Sequence, residues 1–139
     1  MAEFRSDCLI SSMLDILGDK WSLLIVRDML LKHKKTFKEI SESKERIAPS
    51  VLSSRLKLLE SWHLIRKTKS PANKKENIYL LTEKGIDLAP ILTEYSLWSH
   101  KHLRSVTDLE DLVEGLDTNT AAVTAYVMDQ YRAMARQFT

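Results

Sequence analysis

The segment between residues 36 and 65 constrains the fold most, because it predicts a short helix, a turn and a longer second helix. Thr36 and Glu39 have the spacing of a capping box, in which each side chain accepts a hydrogen bond from the other residue's backbone N–H. Pro49 suits the first turn of the second helix, where its missing N–H costs no hydrogen bond. The layout is that of a helix-turn-helix.

The second helix of this segment has two chemically different sides. At about 100° per residue, its apolar side chains fall within one broad arc. These are Val51, Leu52, Leu56, Leu58 and Leu59. The opposite side carries Ser50, Ser53, Ser54 and Lys57. A side of small hydroxyls and one lysine suits entry into a DNA major groove, but an ordinary amphipathic surface helix can look the same.

The positive charge of the chain is concentrated in its middle third. The formal net charge is +2, yet residues 32–75 hold thirteen Lys/Arg against four Asp/Glu, and the segments on both sides are net acidic. This distribution favours a face that binds a polyanion, so we interpret the serines and Lys57 as base-groove candidates. The candidate phosphate contacts are Lys44, Arg46, Arg66, Lys69, Lys74 and Lys75.

A hairpin and further helices are predicted around the helix-turn-helix. Two apolar helices precede it within residues 8–31, and two strands, at residues 64–70 and 77–81, follow it and are joined by a basic turn. A hairpin in this position is a wing. Its lysine-bearing tip suits contact with a phosphate backbone or a minor groove.

The C-terminal third predicts helices only. Thr82 caps a helix that extends to about residue 103, and Pro90 inside it should bend the helix because proline lacks an N–H. Thr107 and Glu110 form a second capping box, which opens a short helix ending near Leu116. A last helix extends to about residue 137.

Composition places the chain among single-domain globular proteins. The chain has 139 residues, of which 44% are hydrophobic and 29% charged, so we expect one domain over residues 1–139 and no extended disorder. No apolar run approaches the roughly 18 residues that span a membrane, and the N-terminus lacks the pattern of a signal peptide. The single cysteine cannot form an internal disulfide, so we expect a cytoplasmic protein.

Several motifs together resemble the HxlR family of bacterial and archaeal transcriptional regulators. The resemblance covers about residues 8–100, and its most specific part is Gly18-x-Lys20-Trp21 combined with Cys8 near the N-terminus. The other matching residues are Leu24, Ile25, Phe37, Glu39, Ile40, Val51, Leu52, Arg55, Leu56, Leu58, Leu59, Glu60, Tyr79, Leu81, Thr82, Gly85, Leu88, Pro90 and Trp98.

The resemblance implies a winged helix-turn-helix, mainly α with a small β-hairpin wing at residues 66–81. It also implies extra dimerisation helices at both ends, which we assign to residues 8–31 and 82–139, although residues after about 105 extend past the family pattern. Such proteins bind double-stranded operator DNA as homodimers, without a cofactor, and some respond to electrophiles or oxidants through the N-terminal cysteine. Two apolar stripes suit a dimer interface: Leu9, Met13 and Ile16, and Val123, Val127 and Met134.

Five positions depart from the usual family pattern. Ala48 replaces the hydroxyl residue that caps the second helix of the motif, and this loss costs about 1 kcal/mol. His63 replaces a glycine after that helix and is expected to adopt a left-handed conformation. Leu9 replaces the proline after the cysteine. Lys74 and Lys75 replace two prolines near the wing.

Two residues have competing interpretations. Cys8 is either a sensing thiol, activated near a helix N-terminus, or a small core residue. Arg55 falls within the apolar arc, where a guanidinium needs a partner. We expect an ion pair with Glu39, the alternative being a DNA contact.

Two other classes of function are disfavoured. We predict that the chain is not an enzyme, because it has no Gly-rich phosphate loop and no nucleophile–base spacing. His100 and His102 point to different sides of a helix, so we predict no metal site. A winged helix used only as a protein-interaction module is the second alternative. The basic middle third argues against it.

Overall fold

The structure is a computed structural model, which describes residues 3–103 and 119–138. These residues are mainly helical, with one antiparallel hairpin. In chain order the elements are α1 (Leu9–Leu17), α2 (Ser22–Lys32), α3 (Phe37–Ser41), α4 (Pro49–Ser61), β1 (Ile65–Lys69), β2 (Asn77–Leu81), α5 (Glu83–Ile86), α6 (Ala89–His102), α7 (Thr120–Ala135) and a 3-10 turn (Arg136–Phe138). No helix in the described ranges is both long and apolar enough to cross a membrane.

The helix-turn-helix consists of α3 and α4 and begins as predicted. Thr36 Oγ1 accepts the Glu39 N–H at 3.0 Å, and the Glu39 carboxylate accepts the Thr36 N–H at 3.0 Å. The capping box is therefore confirmed. Pro49 occupies the first turn of α4, and Ala48 at the N-cap makes no side-chain hydrogen bond.

A left-handed residue turns the chain from α4 into the wing. His63 has a φ of 58°, and the Leu64 N–H donates to the Leu59 carbonyl at 2.9 Å across this residue. This six-to-one bond closes the end of a helix when the residue after it is left-handed. The expected conformation of His63 is confirmed, and β1 starts two residues later.

The wing is a two-stranded hairpin anchored at its base. Ile65 lies opposite Leu81, and Lys69 opposite Asn77. At the base, Ile65 and Leu81 are buried in the core, while the Ser70–Glu76 turn at the far end is held by a bond from the Ser70 N–H to the Glu76 carbonyl at 2.9 Å. The hairpin is thus apolar where it meets the body and polar at its tip.

The predicted long helix bent at Pro90 is wrong. The chain forms the short α5 instead, which Thr82 caps through its hydroxyl, and then starts the separate helix α6 at Ala89. Pro90 lies in the first turn of α6, where its missing N–H would have had no partner in any case. Proline therefore starts a helix here and does not bend one.

Helix α7 packs against the core of its own chain. Val127 and Tyr131 are buried among the core residues, and the Thr124 and Thr93 hydroxyls hydrogen-bond each other at 2.7 Å between α7 and α6. The prediction that Val123, Val127 and Met134 form a stripe outside the core is wrong. Val123 and Met134 are half-buried against the same core, because the winged helix is completed by α7.

The N-terminal stripe is divided between core and surface. Met13 and Ile16 are half-buried against the core, whereas Leu9 is 86% exposed. The short helix predicted from Thr107 to Leu116 lies outside the described residues.

Candidate nucleic-acid interface

Helix α4 presents the two sides that its sequence predicts. Leu52, Leu56 and Leu59 are buried in the core. The polar side faces outward: Ser50, Ser54 and Lys57 are exposed and Ser53 is half-buried. The apolar side fixes the orientation of α4, and the hydroxyls and one ammonium group are left to meet a partner. Serine hydroxyls both donate and accept, so they discriminate weakly among base edges.

A basic loop precedes α4 and is held by an ion pair. Lys44 and Arg46 are exposed in this loop, and Arg46 has a left-handed φ of 58°. Between them, Glu45 accepts two hydrogen bonds from Arg27 of α2, at 2.8 and 2.9 Å. These bonds from Arg27 lower the pKa of Glu45 to about 2. The Arg27–Glu45 pair ties the loop to α2, and the side chains of Lys44 and Arg46 remain exposed.

The wing carries the remaining candidate phosphate contacts. Lys69, Lys74 and Lys75 are exposed, and Arg66 is half-buried on β1. The turn that carries the tip lysines is shaped by Asn73, whose Oδ1 accepts the Lys75 N–H at 3.1 Å. Exposed lysines on an ordered turn are suited to phosphate oxygens, which they meet as point charges.

The predicted ion pair between Arg55 and Glu39 is wrong. The Arg55 Nη1 lies 3.7 Å from Asp19 Oδ1, and the Arg55 side chain is 32% exposed. Glu39 is engaged elsewhere, because its carboxylate accepts the backbone N–H groups of both Lys35 and Thr36 at 3.0 Å. The Arg55 Nε is buried without a hydrogen-bond partner among the described residues. Arg55 is therefore a loosely held cation.

Asp19, which the sequence reasoning missed, has two roles. Its carboxylate accepts the backbone N–H groups of Trp21 and Ser22 at 2.9 Å and the Ser22 hydroxyl at 2.7 Å, so it holds the turn that leads into α2. Burial raises the pKa of Asp19, but the bonds from Ser22 and Trp21 and the charge of Arg55 outweigh burial and lower it. Asp19 stands two residues before the N-cap position, Trp21, so the usual sequence rule for a capping residue does not find it.

Cys8 lies at the surface, so the prediction of a small core residue is wrong. The residue is exposed, stands at the N-cap position of α1 and donates its N–H to Ser6 Oγ at 3.2 Å. The segment before it is attached to the body at two points. Phe4 stacks on Trp62 with ring centroids 5.9 Å apart, and Arg5 pairs with Asp15.

Metal-ligating side chains do not converge in the part of the chain that the structure describes. No group of three or more His, Cys, Asp or Glu residues there is placed to hold a metal ion. The chemistry that this surface offers is therefore that of hydroxyls and cations arranged on and around α4.

Comparison with known proteins places this arrangement in a family. The model of the family described as HxlR-like helix-turn-helix matches residues 16–107. The HTH-type transcriptional regulator YodB of Bacillus subtilis is 34% identical over 90 residues, which cover 65% of this chain and 80% of YodB. The uncharacterized HTH-type transcriptional regulator YvaP of the same organism is 40% identical over 85 residues, which cover 61% of this chain and 78% of YvaP.

Solved structures agree with the sequence comparison. The reduced form of YodB superposes with a TM-score of 0.58 at 31% identity, over 73% of this chain and 100% of that chain. PA1607, described as a putative transcription factor, superposes with a TM-score of 0.66 at 29% identity, over 75% of this chain and 70% of that chain. YodB has also been solved in a quinone-bound form, which is 32% identical and superposes with a TM-score of 0.55, over 68% of this chain and 98% of that chain.

Proposed function

The chain belongs to the HxlR-like helix-turn-helix family of transcriptional regulators, and on this premise we propose that it binds an inverted-repeat operator in duplex DNA as a homodimer. The observation that carries the proposal is the outward side of α4, where Ser50, Ser54 and Lys57 are exposed while the opposite side is buried. Exposed cations precede α4 in the loop and follow it on the wing. A solvent-facing helix with cations on its flanks is the arrangement that major-groove binding requires.

The two kinds of side chain have different tasks in this proposal. Ser50, Ser53, Ser54 and Lys57 meet base edges, and the basic residues of the loop and wing meet phosphates. Because serine reads bases weakly, much of the sequence preference arises from half-site spacing and DNA shape. The phosphate contacts supply affinity that falls steeply with salt.

Exposed apolar side chains support a homodimer. Leu9 is 86% and Ile10 74% exposed on α1, and α6 exposes Tyr95 and Trp98. A second copy of this chain would cover them, and two-fold symmetry would place two α4 helices about 34 Å apart, one turn of DNA. The proposed interface therefore uses Leu9 and the outer side of α6, and not the stripe of α7 that is buried in the core.

Cys8 is the proposed sensor of oxidants or electrophiles. Its exposure supports this role, and the related YodB has been solved in reduced, diamide-treated and quinone-bound forms. Diamide or a quinone should change operator affinity in the parent protein and leave a Cys8→Ser variant unaffected. Equal responses in the two proteins would remove Cys8 from the mechanism.

Selection from random duplexes tests the proposed function directly. The parent protein should enrich sequences with two inverted half-sites about 10 base pairs apart. An enriched single half-site would contradict the dimer. No enrichment above the input pool would contradict sequence-specific DNA binding and favour the alternative, a winged helix that serves as a protein-interaction module.

A further inference from the structure

Strand β2 is joined to the body of the protein by two hydrogen bonds outside the hairpin. The N–H groups of Tyr79 and Leu81 point away from β1 and find other acceptors. The Tyr79 N–H donates to the Lys35 carbonyl at 2.7 Å. The Leu81 N–H donates to the Tyr131 hydroxyl at 2.7 Å. The base of the wing is therefore bonded both to the loop before α3 and to α7.

Tyr131 reaches this position from the interior of the protein. Its side chain is 0% exposed, and the His33 ring meets it edge-on with centroids 5.9 Å apart. Burial raises the pKa of Tyr131, while the bond from Leu81 and the positive charge of Arg66 oppose that rise. Arg66, one of the candidate phosphate contacts, lies on β1 of the wing.

The residues after α7 also contact Lys35, which holds β2 through its carbonyl. The Lys35 ammonium lies 5.2 Å from the centroid of the Phe138 ring, in the 3-10 turn after α7. Lys35 is the residue whose carbonyl accepts the Tyr79 N–H. The Leu81 N–H is thus bonded to the C-terminal region itself, and the Tyr79 N–H to a residue whose side chain that region contacts.

We propose that Tyr131 is a positioning residue for the wing, which its hydroxyl holds at a fixed angle to α4 through the Leu81 N–H. This inference rests on the proposed DNA binding and adds a residue that lies beyond the family match, which ends at residue 107. Tyr131 touches no DNA in this account. It acts through the wing lysines Lys74 and Lys75.

The distance from the Leu81–Tyr131 hydrogen bond to the wing lysines explains why one hydrogen bond matters. Lys75 stands six positions before Leu81, which is at most about 20 Å of extended chain. A small rotation at Leu81 therefore becomes a displacement of several ångströms at the lysines. A wing fixed before binding loses less conformational entropy when it meets the phosphates, so affinity rises without any new contact.

A double-mutant cycle tests this coupling. Tyr131→Phe keeps the ring and removes only the acceptor. We expect it to weaken operator binding about fivefold, the lower end of typical coupling factors. In a background with Lys74→Ala and Lys75→Ala, the same change should alter affinity by less than about twofold, because the lysines that the hydrogen bond positions are absent. A factor of about two is also the scatter expected for independent changes. Equal losses in the two backgrounds would overturn the proposal.

Thr124→Val is the matched control. It removes a buried hydrogen bond from the same helix, between Thr124 and Thr93, and that bond joins α7 to α6 and not to the wing. We expect the control to show no coupling to Lys74 and Lys75. Coupling as large as that of Tyr131→Phe would mean that any loosening of α7 acts on the wing, and would overturn the specific role of Tyr131.

Amide hydrogen exchange gives a readout that does not depend on DNA. In the free parent protein the Leu81 amide should exchange as slowly as the Leu80 amide, and Tyr131→Phe should accelerate Leu81 alone. Rapid exchange of Leu81 in the parent would overturn the anchor even if the variant does not fold. A parent protein that binds no duplex while Leu81 is protected would overturn the proposed function and leave the anchor established.

Discussion

At the scale of single residues, one ion pair holds the loop in front of α4. Arg27 donates to both carboxylate oxygens of Glu45 and also contacts the buried Asp28 at 2.7 Å. Lys34 approaches Asp28 from the other side, at 3.4 Å. The buried carboxylate therefore has two cations beside it, and Arg27 connects it to the loop that carries the exposed Lys44.

This pair predicts a pH dependence of stability. Because the folded protein holds the pKa of Glu45 at about 2, below its ordinary value of 4.5, the pair stabilises the fold above pH 4.5 and is lost as pH falls toward 2. The Tm of the parent should therefore fall more steeply over this range than the Tm of Glu45→Gln, which cannot titrate. Thermal unfolding followed by circular dichroism measures both curves. An equal fall in Tm with pH for the parent and Glu45→Gln would contradict the Arg27–Glu45 pair.

The partner of Arg55 shows the limit of sequence reasoning at this scale. The Thr36–Glu39 spacing predicted the capping box correctly, and the same box already occupies the Glu39 carboxylate. Asp19 is distant from Arg55 in sequence and close in space. A helical wheel places Arg55 on a side of α4, but it does not say which residue of another segment faces that side.

At the scale of elements, local signals were sufficient where they were strong. The capping box, Pro49 and the turn between the strands predicted α3, α4 and the hairpin, because each depends on residues a few positions apart. Pro90 shows the limit, because the same residue either bends a helix or begins one. The short α5 and its cap by Thr82 decide between these outcomes.

The uncapped start of α4 gives a prediction at this scale. Ala48 has extended backbone angles, φ −65° and ψ 141°, so a serine there can accept a first-turn N–H without strain. Ala48→Ser should raise the free energy of unfolding by about 1 kcal/mol. Ala125→Ser, at an exposed site inside α7, is the control and should lower it by about 0.5 kcal/mol. Urea unfolding that shows no gain for Ala48→Ser would contradict the assigned cap position.

At the scale of the whole molecule, α7 completes the core, and the exposed apolar side chains of the proposed dimer interface lie on α1 and α6. The stripe of Val127 and its neighbours is periodic, and periodicity shows that one side of a helix is buried without showing what covers it. A dimer partner and the chain's own core produce the same pattern. Tyr131 lies on the apolar side of α7, and a buried tyrosine hydroxyl usually has a hydrogen-bond partner. The sequence therefore indicates that Tyr131 bonds to another segment, without saying which one.

Charges on α1 test the proposed dimer. Leu9→Glu with Ile10→Glu places two carboxylates on the exposed apolar surface of α1, where a partner would have to bury them. Light scattering should show a monomer, and circular dichroism should show unchanged helix content. Phe37→Ser, which removes an exposed ring from α3, is the control and should remain dimeric. A Leu9→Glu, Ile10→Glu protein that stays dimeric would contradict an interface on α1.

The salt dependence of operator binding measures whether the wing lysines contact DNA phosphates. Log affinity against log salt concentration should be linear for the parent between about 50 and 200 mM KCl, and Lys74→Ala with Lys75→Ala should reduce the slope by about two to four counterions per dimer. Lys20→Ala with Lys101→Ala removes the same charge outside the basic segment and should leave the slope unchanged. Only the wing variant should have a shallower slope. Equal slopes for the three proteins would contradict the proposed binding of DNA phosphates by the wing.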